Sequence, residues 1–226
     1  MSITINPPFK YEPVPRVEVE GKRLYLTPDG AKVPSVTTVL SATKDKTHLL
    51  EWRKRVGESE ATRISTEAAG LGTLFHTHLE NFILGKDRPA GTNQVRALAT
   101  SMADIIIANG LSQINEVWGM EIGLYYPELY AGTTDLIALY KGKPAILDYK
   151  TTSKPKKREW IEDYFLQMCA YAAAHNNVYG TDINQAVIFM VSRAGEYQEF
   201  VIEGDEFTHY AEMWTRRVAQ YYQLNM

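Results

Sequence analysis

The sequence predicts an α/β fold, a sheet covered by helices, and three observations predict it. The stretch from Thr133 to Thr152, TTDLIALYKGKPAILDYKTT, has apolar and β-branched runs at Leu136 to Tyr140 and Ala145 to Tyr149. They flank Lys141-Gly142, the Gly-containing break of a two-residue hairpin. A second pair of strand-like runs, Gln185 to Ser192 and Tyr197 to Ile202, flanks Arg193-Ala194-Gly195. Before and between these hairpins, apolar residues recur at helical spacing. At 226 residues, 45% hydrophobic and 23% charged, the chain is expected to form one domain. Its expected parts are an arm and small hairpin over 1–45, a helical region over 46–115 and a strand-rich core over 116–226.

Taken in order, residues 1–15 are Pro-rich and read as an extended arm. Val17 to Val39 alternates enough for a small hairpin, with Pro34-Ser35 leading into a short helix. A helix is expected from Thr47 until Gly57 interrupts it, and a longer one from Glu58 to Leu84, broken or kinked near Gly70 and Gly72. On it His76 and Glu80 are four apart and share a face, whereas His78 lies about 200° round from His76 and points elsewhere. Thr92 to Asn109 reads as another helix, its three isoleucines belonging to the core. The strand from Val117 to Tyr125 sets Glu121 among core-like residues, where an acid needs a partner, either an Arg or Lys or a shared metal. Glu159 to Asn176 is expected as a helix with Trp160, Tyr164, Gln167 and Tyr171 on one stripe and Ile161, Phe165, Met168, Cys169 and Ala172 on the core stripe. Asp205 to Leu224 closes the chain as a helix.

The register of the first hairpin carries chemistry. With Lys141-Gly142 as the loop, Tyr140 pairs with Lys143 and Asp135 falls opposite Asp148. Like charges directly opposite destabilise a sheet, so a cation is expected between them. Side chains alternate along a strand, which puts Lys150 on the same side as both acids. Two carboxylates suit a hard divalent ion that keeps several waters, Mg²⁺ rather than Zn²⁺. The Trp/Tyr/Gln stripe can stack on bases, the plainer alternative being core packing. Lys154, Lys156, Lys157 and Arg158 precede a helix, where the macrodipole disfavours cations; phosphate binding is one motive and solvated loop charge the other.

Other features bound the function. A net charge of −3 leaves any nucleic-acid binding to local patches. Apolar runs such as Ala186 to Val191 fall far short of the ~20 residues of a membrane helix, so no membrane association is expected. The first sixteen residues lack a signal core and an Arg-rich transit pattern, giving the expectation of a cytoplasmic setting in a bacterial cell or phage-infected host. A single cysteine, Cys169, excludes an intrachain disulfide and an iron-sulfur cluster held by four cysteines of one chain.

Four pieces in order, GTLFHTHLE (72–80), GTTD (132–135), LDYKTT (147–152) and QMCAY (167–171), resemble the motifs of PD-(D/E)XK nucleases of the RecB-like branch. With PSVTTVL (34–40) and the Glu121 strand, the layout is most similar to the mitochondrial genome maintenance exonuclease group with its bacterial and phage relatives. The resemblance implies a restriction-endonuclease-like central mixed sheet flanked by helices, with the helices of Thr47 to Leu84 roofing the active site. It implies a metal-dependent DNA exonuclease, using Mg²⁺ with Mn²⁺ as a substitute. The enzyme would act on free, single-stranded ends, leave 5′-phosphate products and serve DNA repair, recombination or replication. Residue by residue it implies Lys150 as the catalytic lysine, Asp135 and Asp148 as metal carboxylates, His76 as a metal ligand or phosphate-site residue and the carbonyl of Tyr149 in the metal shell. Glu121 becomes a further catalytic acid, and Gln167 with Tyr171 the pair that organises the site and contacts DNA. Glu80, one turn beyond His76, is left open. Thr133-Thr134 precedes Asp135 where the motif's name has proline, and the missing cysteines exclude the cluster-bearing subgroup. An endonuclease on the same fold is the nearest alternative; a non-catalytic nucleic-acid-binding protein and a hydrolase of small phosphoesters are others.

Overall fold

Lys141 and Gly142 both take positive φ, 50° and 81°, so the chain reverses in a two-residue turn and Tyr140 pairs with Lys143. The computed structural model that shows this describes residues 3–91 and 93–225. The chain runs β1 (Thr4–Ile5), β2 (Arg16–Val19), β3 (Lys22–Leu26), β4 (Lys32–Val33), α1 (Val36–Thr43), α2 (Thr47–Val56), α3 (Glu58–Ile83) and α4 (Gln94–Asn109). It continues with β5 (Ile114–Tyr126), β6 (Tyr130–Tyr140), β7 (Lys143–Thr152), α5 (Glu162–Tyr179), β8 (Gln185–Ser192), β9 (Tyr197–Glu203) and α6 (Gly204–Leu224).

The central sheet has the order β1-β5-β6-β7-β8-β9 and is mixed: β1 lies parallel to β5, β7 parallel to β8, and the other pairs are antiparallel. Joining β7 to a parallel β8 needs a crossover, which α5 supplies. Alternation along the strands gives each face its own core. Ile137, Ile146 and Ile188 pack with α1, α5 and α6, while Leu136, Leu147, Tyr149 and Val187 pack with α3 and α4. The expected mixed sheet between helices is therefore present. Among the described residues no helix is long and apolar enough to cross a membrane.

The sheet divides at one point. Pairing of β6 with β7 runs from Tyr140–Lys143 only as far as Leu136–Leu147. Beyond it β6 stays with β5 to Tyr126–Tyr130, and β7 stays with β8 to Thr152–Ser192.

The N-terminal arm lies along β5 rather than in solvent. A Cβ at Gly119 would stand 3.1 Å from the Tyr11 ring and one at Gly123 would stand 3.1 Å from Val14, so these glycines let the arm approach the strand closely. Val14, Tyr25, Val33 and Ala131 form a small third core beneath the three-stranded sheet β2-β3-β4, where the sequence suggested a two-stranded hairpin.

Two helix expectations need correction. α3 runs unbroken for 26 residues through Gly70 and Gly72. Each glycine costs a helix only about 1 kcal/mol, and burial of Leu71, Phe75, Leu79 and Ile83 on the sheet outweighs that. α5 begins at Glu162, not Glu159, because Arg158–Trp160 forms a separate 3-10 turn. The backbone of Lys156 is held by the Gln198 side chain at 2.7 and 2.8 Å, which ties this segment to β9 before the helix can start. α4 starts after the Asn93 cap, whose side chain accepts from the Arg96 N–H; Thr92, the expected first residue, lies outside the described residues.

Candidate active site

Where β6 and β7 part, just past the Leu136–Leu147 pair, Asp135 follows on one strand and Asp148 on the other. Asp135 Oδ2 accepts the Tyr149 N–H at 2.9 Å, so a carboxylate takes over the ladder position. Asp148 is 2% exposed and forms an ion pair with Lys150, two residues on and on the same face. Lys150 Nζ also lies 5.0 Å from the centroid of the Tyr164 ring, in cation–π contact. On β5 the pairs Met120–Leu136 and Ile122–Thr134 bracket Glu121, which therefore faces Asp135 across the strands. Its backbone is left-handed, φ 52°, a costly conformation for a non-glycine residue and common at functional sites.

His76 enters from α3. Its Nε2 is 3.1 Å from the Tyr149 carbonyl oxygen, which can only accept, so Nε2 carries the proton. That leaves the Nδ1 lone pair free, 3.5 Å from Asp135 Oδ2. One lone pair of the Tyr149 carbonyl is thereby used and one remains. Donor atoms of His76, Glu121 and Asp135 all lie within 4.8 Å of one another. Of the two partners the sequence left open for Glu121, a shared metal and an Arg or Lys, this grouping favours the metal.

The electrostatics suit a divalent cation. Three acids, Glu121, Asp135 and Asp148, face one ammonium. Loss of water raises the Glu121 carboxyl to about 7, helped by Asp135, Glu80 and Asp148 and opposed by Arg16, although much of the residue faces solvent. Burial also raises Asp135 and Asp148, and Lys150 only partly offsets this. Burial works against the Lys150 ammonium, but Asp148 and Asp135 outweigh it and hold its pKa above the ordinary lysine value. Burial lowers His76 and so favours the neutral imidazole that a metal requires. Asp148 Oδ2 is buried and makes no hydrogen bond beyond the ion-pair contact. Oxygen-rich donors and surplus negative charge fit a hard divalent ion, which His76, Glu121 and Asp135 could hold with Asp148 beside them.

Other expected residues fall differently. Gln167 donates to the Tyr171 hydroxyl at 3.1 Å. Tyr171, however, is only 3% exposed, its ring packed over Gly132, so it has no face on which a base could stack. Arg158 is not a free phosphate ligand either: its guanidinium binds Glu206 through two hydrogen bonds, 2.8 and 2.7 Å, and the Val201 carbonyl. Trp160 lies off the helical stripe but stays 62% exposed, with Lys157 Nζ 5.4 Å from its ring centroid. Lys154 and Lys157 are exposed, whereas Lys156 is half-buried. His78 is buried against Thr100 and Arg88, away from the acids.

Gly132, three residues before Asp135, is fixed by packing. A Cβ there would stand 2.8 Å from Tyr171 Cε1. Gly132→Ala should cost about 1–3 kcal/mol in urea unfolding by displacing the ring.

No family model matches the chain. It is similar to mitochondrial genome maintenance exonuclease 1 of Xenopus tropicalis, 28% identical over 209 residues that cover 84% of this chain and 57% of that protein. The Homo sapiens protein is 27% identical over 203 residues, 84% of this chain and 58% of its own. The Mus musculus protein is 25% identical over 220 residues, 92% of this chain and 64% of its own. The chain thus spans less than two thirds of the length of these relatives. A structure described as a candidate exonuclease from Eubacterium rectale superposes with a TM-score of 0.47 at 11% identity, over 71% of this chain and 69% of its own. The resemblance read from the motifs holds. The expected bacterial or phage cytoplasmic setting does not: these curated relatives are mitochondrial proteins of frog, human and mouse.

Proposed function

We propose that this chain, similar to the mitochondrial genome maintenance exonucleases, is a metal-dependent DNA exonuclease that hydrolyses phosphodiester bonds at single-stranded ends and leaves 5′-phosphates. The observation that carries the reading is the convergence of His76, Glu121 and Asp135 on one point beside the Asp148–Lys150 pair. Mg²⁺, replaceable by Mn²⁺, would be held by His76, Glu121, Asp135 and Asp148, with the Tyr149 carbonyl's second lone pair in reach. Such an ion supplies Lewis-acid polarisation of the phosphate and a more acidic water.

The chain's own groups do the rest. Lys150, charged and fixed by Asp148 and the Tyr164 ring, orients the attacking water or neutralises charge growing on the phosphate oxygens. The Tyr149 N–H fixes Asp135, and His76, tied to the Tyr149 carbonyl, keeps its tautomer. Gln167 and Tyr171 brace β6 at Gly132, three residues before Asp135. Exposed Trp160, half-buried Tyr164 and exposed Lys154 and Lys157 offer stacking and phosphate contact on one flank.

The test uses 5′- and 3′-labelled linear strands and closed circular single-stranded DNA with Mg²⁺. Linear DNA should shorten from an end while circles persist, and EDTA should stop the reaction. Rapid cutting of circles would make the protein an endonuclease, and activity indifferent to EDTA would remove the metal from the reading.

Metal loading should depend on pH. Glu121, at about 7, and the raised Asp148 and Asp135 hold protons in acid that a cation must displace. At fixed Mg²⁺ or Mn²⁺ the metal-induced rise in Tm is therefore expected to be small at pH 6 and larger at pH 8. Equal rises at both pH values would contradict it.

A further inference from the structure

Arg16 stands at the start of β2 and is paired with no acid among the described residues. Val14 packs over Gly123, two residues along β5 from Glu121, and so carries the following segment beside the acid-bearing strand. Arg16 lies directly across from Tyr25, donates Nε–H to its hydroxyl at 2.9 Å and holds the guanidinium 5.5 Å from the ring centroid. It makes no other hydrogen bond and no ion pair among the described residues, and it is exposed. Its charge is felt by Glu121 and Tyr171. A surface arginine without an acid partner ordinarily has a wandering head; this one is fixed by a ring and a hydroxyl, with both Nη groups free. A held guanidinium of that kind matches two oxygens of a phosphate.

We propose that Arg16 binds a backbone phosphate of the nucleic-acid strand next to the linkage being cut. This rests on the nuclease reading above. Tyr25, which holds Arg16, packs with Val14 and Ala131 and against Tyr125, at the β5–β6 end of the site, whereas Lys154, Lys157 and Trp160 follow β7. A strand crossing the acids is thus gripped on both flanks, and the fixed cation offsets the repulsion that Glu80, Glu121 and Asp135 exert on an arriving phosphate.

The test compares wild type with Arg16→Gln, Arg16→Lys and Tyr25→Phe on labelled single-stranded oligonucleotides that carry one neutral methylphosphonate at successive linkages near the end. For wild type, one linkage beside the scissile bond should raise KM by roughly ten- to hundredfold, the loss of a charge-assisted contact. Arg16→Gln should show that rise on unmodified DNA and ignore the methylphosphonate at that linkage, with the loss on KM more than on kcat. Its salt slope should fall by about 0.7, the value for one phosphate on a single strand. Tyr25→Phe, which frees the head but keeps the charge, should lie between. The proposal is overturned if Arg16→Gln keeps the wild-type response at every linkage, or loses activity at all linkages alike with a matching fall in Tm. A wild-type protein that degrades no unmodified DNA would instead sink the nuclease reading.

Discussion

Lys150→Ala is expected to lower kcat by about a thousandfold, the range for losing a placed proton-transfer or charge-stabilising group, while KM moves little. The side chain makes its contacts with Asp148 and the Tyr164 ring inside the site. Removing it leaves Asp148 buried without its cation, and breaking one side of such a pair costs about 3 kcal/mol. Asp148 would answer by keeping its proton to higher pH, since Lys150 is the leading influence that lowers it. The variant should therefore need a higher pH for metal to raise its Tm, yet still bind metal at pH 8 or above. Single-turnover kinetics and thermal melts with Mn²⁺ separate the two effects. Kinetics close to wild type would remove Lys150 from the chemistry.

Asp148→Asn should be comparably damaging for a different reason. The amide keeps the shape but loses the charge that helps hold a divalent ion, so turnover should fall by at least about a thousandfold and added metal should raise Tm far less. Two opposed effects act on stability without metal. Asp148 has its pKa raised on folding, so below the unfolded value near 3.8 the group is neutral, and stability falls as pH climbs from there toward its folded value of about 7. Replacing it removes that penalty but leaves the Lys150 ammonium without its nearest carboxylate, a loss of the same order as in Lys150→Ala, so the metal-free variant should gain no Tm at pH 8. A large loss of stability at pH 8 together with an unchanged metal response would identify Asp148 as a structural acid.

The register of the first hairpin was legible because a two-residue turn and a period of two leave no freedom: once Lys141-Gly142 is the loop, Asp135, Asp148 and Lys150 are placed. His76 and His78 could be told apart by angle alone. The partner of Glu121 could not be read, since its left-handed backbone is set by neighbours and not by local propensity. Tyr171 and Trp160 show the limit of helical periodicity. A 3.6-residue pattern groups them on one stripe, but long-range ties from Gln198 and Glu206 delay the helix, strand Trp160 outside it and leave Tyr171 buried. Gly70 and Gly72 mislead in the same way, because tertiary burial further along α3 overrides local weakness.

The parting of β6 from β7 has a mechanical consequence. The molecule resembles a pair of shears pivoting at Leu136 and Leu147, with Asp135 on one blade and Asp148 on the other. The gap between the acids is then set by that leucine pair behind them and by the Tyr149 N–H bond that Asp135 accepts across it. Repacking those two leucines, well away from solvent, would change the spacing of the two carboxylates without touching either acid.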